Sequence, residues 1–140
     1  MFSPQMSPAA LGAGAHAYRT LQVETQITGG ASPHRLIAML YDGFFEALTM
    51  GRAAMRNRDI EAKNKHLAKA VRIVEEGLRA SLNKVEGGRL ARDLDELYGY
   101  VAIRVTRANL RNDEAGLDEC AKLMQPLRDA WDSIRAAVDA

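Results

Sequence analysis

The sequence predicts an all-α protein, an antiparallel up-down four-helix bundle with a short N-terminal helix or cap segment. Three observations lead there. Four stretches place apolar residues at helical spacing, about 100° of rotation per residue. Residues that start and stop helices punctuate those stretches at short intervals. No segment alternates with the period of two that a half-buried strand needs. Short connectors make successive helices antiparallel neighbours, which gives the up-down bundle.

The first long helix begins at Ser32, an N-cap, with Pro33 at the first helical position, and runs to about Asn57. The second starts at Asp59. Its Ile60, Leu67, Val71, Val74, Leu78 and Leu82 share one stripe. This helix is expected to run to Asn83, roughly 35 Å at about 1.5 Å per residue. Asn83–Gly88 is a loop whose paired glycines permit left-handed backbone angles. The third helix aligns Leu90, Leu94, Leu97, Val101, Val105 and Ala108, with Tyr98 beside them, and Asn112-Asp113 punctuates its end. The fourth aligns Leu117, Cys120, Ala121, Met124, Leu127, Trp131, Ile134 and Val138. Pro126 lies inside that pattern, where a kink or short break is expected because proline removes a backbone donor.

The 140 residues suit one domain. Residues 1–14 read as a mobile tail, residues 15–31 as an N-terminal cap segment with a short helix over Ala15–Val23, and residues 32–140 as the bundle domain. A 47% hydrophobic and 26% charged composition is that of a globular chain. Nineteen Lys and Arg against eighteen Asp and Glu leave a formal charge of +1, which argues against nucleic acid as a partner. No apolar run is long enough to cross a membrane. The N-terminus lacks a basic region ahead of an apolar core, so no Sec-type signal peptide is expected. The lone Cys120 cannot form an internal disulfide, which fits a reducing cytoplasm.

Catalytic chemistry is hard to assemble from these residues. Di-metal sites in helix bundles use Glu-x-x-His pairs, whereas Ala13, Ala31 and Lys63 precede His16, His34 and His66 by three. No metal or other cofactor is expected. Cys120 lies on the apolar stripe of the last helix, where it serves as a small hydrophobe. Asp93, Asp95 and Glu96 read as a solvated face. Lys63, Lys65, Lys69 and Arg72 read as the outer face of the second helix, balanced by Glu61, Glu75 and Glu76. The chain is not read as an enzyme, and no catalytic residue is assigned.

The informative feature is surplus apolar surface. On the first helix Ile37, Tyr41, Phe44, Leu48 and Met55 form one stripe. Leu36, Leu40, Gly43, Ala47 and Met50 form a second, with Met39 and Phe45 at the edges. Together they cover roughly two-thirds of the circumference, where a peripheral helix needs a little over 100°. Tyr100, Ile103 and Leu110 lie off the main stripe of the third helix, and Ile73 with Ala62, Gly77 and Ala80 makes a flat back face on the second. Two readings stand side by side. The first helix is simply central, or it borders a groove for a partner's amphipathic helix, with methionines that adapt to varied contacts.

In order, SPHRLIAMLYDG at Ser32–Gly43, KNKHLAKAVRIVEEGLRASLN at Lys63–Asn83, EGGRLARDLDELYGYV at Glu86–Val101, RANLRND at Arg107–Asp113 and LRDAW at Leu127–Trp131 form a set. With the Tyr-containing segment Tyr18–Val23 before them, they resemble the FliS family of flagellar secretion chaperones over about Tyr18 to Ile134. The resemblance implies a cytoplasmic bundle that binds the disordered C-terminal region of flagellin, prevents its premature polymerisation and offers the complex to the flagellar type III export gate. It implies neither nucleotide nor metal. The family's N-terminal tyrosine falls on Tyr18 and the apolar positions after it on Leu21, Val23 and Ile27, a segment that family members use as a cap over the flagellin groove. Leu36, Met39, Leu40, Ile73, Tyr100 and Ile103 are the candidates for the groove itself. The rival reading is a self-associating helical bundle without flagellin specificity, whose surplus surface is a homodimer interface.

Overall fold

The computed structural model describes residues 32–84 and 87–139, with side chains described through residue 134. The expected tail, the Ala15–Val23 helix and the cap positions Tyr18, Leu21, Val23 and Ile27 lie outside the described residues, as does the side chain of Val138. The first helix, α1 (Pro33–Arg56), starts as its sequence demands: the Ser32 side chain accepts from the Arg35 amide at 3.2 Å, and Pro33 opens the first turn. The second, α2 (Ile60–Arg72), is capped by Asp59, whose carboxylate accepts from the Ala62 amide at 3.1 Å. The third, α3 (Gly88–Arg111), opens on Gly88 at φ +57°, a backbone angle that favours glycine. It ends at Asn112, which is left-handed at φ 52°. The fourth, α4 (Glu114–Asp139), follows directly.

Each adjacent pair is antiparallel, and side-chain contacts fix the registers. Leu40 of α1 meets Gly77, and Gly51 of α1 meets Leu67 of α2. Lys63 reaches Asn109 and Asn112 at the far end of α3. Arg104 of α3 pairs with Glu119 of α4 at 2.8 Å, and Arg128 of α4 pairs with Asp42 of α1 at 2.7 Å. At the same end of the bundle the His34 ring stacks on Trp131 with centroids 4.1 Å apart, while the indole N–H donates to the His34 carbonyl at 2.9 Å. The four helices therefore close on one core of Ile37, Phe44, Leu67, Val74, Val101, Val105, Leu117 and Met124, among others.

Several expectations give way to the structure. The second helix does not continue regularly to Asn83: after Arg72 it widens into a π-helical stretch, Ile73–Arg79. Of the kink or short break expected at Pro126, the break does not occur: the last helix is continuous through it. Both Pro126 and Lys122, whose carbonyl loses its partner, are exposed, so water can satisfy that group. Ile60, Leu90 and Ile134 share their helices' core stripes but are exposed, because each sits near a helix end where the facing helix no longer covers it. Asp95 is not simply solvated: its carboxylate accepts from Arg79 at 2.7 Å and lies 3.6 Å from the Lys84 ammonium.

The largest departure is Lys63, expected on the outer face but only 7% exposed. Its ammonium donates to the Asn109 carbonyl at 2.9 Å and to the Asn112 side-chain oxygen at 2.7 Å, so a cation closes the C-terminal end of α3. A positive charge there also complements the partial negative charge of the helix terminus. Lys63→Met, which keeps the aliphatic stem, is expected to destabilise the bundle by about 1–3 kcal/mol by orphaning those acceptors. Urea unfolding with an unchanged midpoint would refute this assignment.

Candidate binding groove

The wide apolar arc of α1 is mostly consumed by the fold. Its second stripe faces α2, where small residues let the backbones approach. A Cβ on Gly77 would lie 2.8 Å from Leu40 Cδ2, and one on Gly43 would lie 3.2 Å from Ile73 Cδ1. The expected flat face of α2 is thus an internal seam.

The six candidate groove residues consequently do not gather on one surface. Leu36 is 2% exposed and Leu40 is also buried. Met39 is half-buried, and Ile73 is half-buried against the α1 seam. Tyr100 is exposed on α3 and its hydroxyl donates to the Glu119 carboxylate of α4. Ile103, 55% exposed, lines an open groove of about 420 Å³ between α2 and α3.

That groove is a concave, largely apolar surface among the described residues. Gly99 and Ala102 on α3 form a low floor, Val71 and Ile103 rise on either side, and Arg79 and Arg107 stand at opposite ends. Gly99 has a local purpose as well. The Arg79 guanidinium lies across it, 3.1 Å from where a Cβ would sit, on its way to Asp95 and to Glu75 at 2.9 Å. These bonds raise the Arg79 pKa and lower that of Asp95, keeping both charged. Arg107, Gly99 and Val71 were not among the sequence candidates. A signal for α3 existed: Gly99, Ala102, Ile103, Thr106 and Leu110 recur at helical spacing and mark one face of mostly small and apolar residues.

Nothing in or near the groove suggests bond chemistry. Among the described residues no three His, Cys, Asp or Glu side chains gather as a metal site, and no helix is long and apolar enough to cross a membrane. Burial pushes the Cys120 thiol up to about 12, so the reactive thiolate is scarce at neutral pH. A maleimide is therefore expected to label Cys120 at least about a hundredfold more slowly in buffer than in denaturant. Rapid labelling of the folded protein would contradict the burial.

The family model for the flagellar protein FliS matches residues 14–138. The flagellar secretion chaperone FliS of Salmonella typhimurium is 40% identical over 121 residues, covering 86% of this chain and 89% of that protein. FliSB of Pseudomonas aeruginosa, also a flagellar secretion chaperone, is 39% identical over 117 residues, covering 84% and 91%. FliS of Bacillus subtilis is 34% identical over 115 residues, covering 82% and 80%.

Proposed function

Because the chain belongs to the FliS family of flagellar secretion chaperones, which are not enzymes, we propose that it holds the C-terminal region of flagellin before export. The observation that carries this reading is an open apolar groove on the outside of a helical bundle with its own buried core. A client segment that acquires its own core only in the assembled filament exposes apolar faces until then, and those faces aggregate or polymerise. Covering one large apolar side chain is worth about 1.5–3 kcal/mol. Ordering the bound segment offsets part of that gain and keeps the complex releasable. The complex would form in the cytoplasm and be handed to the export gate of the flagellar type III apparatus. Residues 15–31, with Tyr18, Leu21, Val23 and Ile27, would act as a cap that yields to the client.

Pull-down and titration calorimetry with flagellin, with and without its last helical segment, test the proposal. Binding to the intact C-terminal region and loss of binding on its truncation support it. A flagellin segment that neither binds nor alters the sedimentation of the protein favours the self-associating bundle instead. Deleting residues 1–30, which spares the Ser32 cap of α1, is expected to leave a folded bundle with altered flagellin affinity. Loss of its cooperative unfolding would make that segment core.

A further inference from the structure

The end of the bundle where α1 and α3 finish and α2 and α4 begin carries cations that the fold leaves without counter-charges. Most acids there are already engaged. Arg104 holds Asp113 at 3.1 Å and Glu119 at 2.8 Å, Arg56 holds Glu114 at 2.7 Å, Arg52 pairs with Asp118, and Asp59 caps α2. Glu61 is the acid left unpaired among the described residues. Against it stand Arg58, Lys65, Arg107 and Arg111, all exposed, whose side chains make no ion pair or hydrogen bond among the described residues. Two large apolar side chains stand with them: Leu110 is 78% exposed and Ile60 67%. The Lys63 bonds to Asn109 and Asn112 set the first turn of α2 beside the last turn of α3, so Ile60 and Leu110 share this end. Lys65 and Arg107 lie within roughly 8 Å of it along their helix axes, at about 1.5 Å per residue.

Arg58 supplies an independent observation. At the close of α1 the Arg58 amide donates to the Met55 carbonyl at 3.2 Å and the Asp59 amide to the Ala54 carbonyl at 2.9 Å. That closure holds Arg58 at φ 58°, a left-handed position where glycine is the usual residue and asparagine the next, as Asn112 is at the end of α3. An arginine there is unfavourable for the backbone, and its guanidinium meets no partner among the described residues, so packing within the bundle does not account for it.

We propose that this end of the bundle docks reversibly on an anionic lipid surface, with the four free cations against the headgroups and Ile60 and Leu110 dipping into the interface. No described helix is long and apolar enough to cross a membrane, so the contact is peripheral. Cations and bare apolar side chains side by side fit a partner that offers anionic groups over an apolar layer, as a lipid surface does. A nucleic acid would engage the cations but leave Ile60 and Leu110 in water. Arg107 also lines the α2–α3 groove, whereas the other members lie beyond the residues that line it. The site therefore stands whether or not the chain carries flagellin.

The test is co-sedimentation of the full-length chain with vesicles of mixed phosphatidylglycerol and phosphatidylcholine, and with phosphatidylcholine vesicles alone. Binding to the anionic vesicles is expected to exceed that to the neutral ones by about tenfold or more and to weaken as salt is raised. Lys65→Glu, Arg111→Glu and Leu110→Ser are each expected to weaken it by about fivefold or more. Arg58→Gly is expected to weaken it as well while melting at the same temperature or higher, since glycine suits the left-handed position. A purely structural role for Arg58 would not move those two readouts apart. Arg92→Glu, an equal change of charge at an exposed, unpaired position near the opposite end of α3, is the control and should stay within about twofold. Equal binding to both kinds of vesicle, or equal losses in Arg92→Glu and Arg111→Glu, overturns the proposal. Loss in the charge variants with wild-type binding in Leu110→Ser overturns it too, because such a surface reads charge alone. Tighter binding to duplex DNA than to the anionic vesicles at the same salt replaces the lipid with a nucleic acid.

Discussion

Phe44→Ala is expected to lower the unfolding free energy by about 3–5 kcal/mol, whereas Met50→Ala changes it by less than about 0.5 kcal/mol. Both side chains belong to the broad apolar arc of α1, Phe44 on its first stripe and Met50 on its second. Phe44 is 0% exposed and Met50 is 46% exposed. Phe44 meets Phe45 edge-on at 5.5 Å within the packed interior, so truncation leaves a cavity that close-packed neighbours cannot fill by small shifts. Truncating Met50 removes a side chain that remains largely in water. For a chain of this size the Phe44 loss lowers the melting temperature by roughly 10–20 °C. Thermal and urea unfolding of the two variants measure the contrast. Equal losses would mean that the whole arc is core and that the exposed positions are covered in solution.

Tyr98→Phe is expected to destabilise by about 1–3 kcal/mol, and Tyr41→Phe by a similar amount, but the double variant by clearly less than their sum. The two phenols reach across the bundle from diagonally opposed helices and share a 2.7 Å hydrogen bond in the core. Burial pushes both hydroxyls above the ordinary phenol range, Tyr98 the more strongly, so both remain protonated wherever the bundle is folded. Removing one leaves the other buried without that bond, which carries the full desolvation cost. Removing both trades a polar pair for two hydrophobes of nearly the same shape. A double-mutant cycle read by urea unfolding gives the coupling directly, and additive losses would show that the pair is not an energetic unit. Tyr41 belongs to the SPHRLIAMLYDG stretch and Tyr98 to the LYGY stretch, so these motif positions serve the core.

Much of this architecture is legible in the chain. Ser32-Pro33, Asp59 and Asn112-Asp113 mark helix ends because capping depends on a few neighbouring atoms, and the structure places caps at those residues. The stripes through Phe44, Val74, Val101 and Met124 mark the core because helical spacing determines where a side chain points about its own axis. Family membership, too, follows from motifs in the sequence. Spacing says nothing, however, about how far a neighbouring helix extends or which helix faces a given side. Leu90 shares a stripe with Val101 yet lies in water, and the acceptors that hold the buried Lys63 ammonium belong to Asn109 and Asn112, far along the chain. The same limit applies to the groove. Arg79, Arg104 and Arg107 read alike along the chain, but among the described residues two meet carboxylates and one meets none. Local stereochemistry, a property of consecutive residues, was determined by the sequence alone. Burial and ion pairing depend on the axial offset and rotation of helices distant in the chain, and these only the tertiary packing decided.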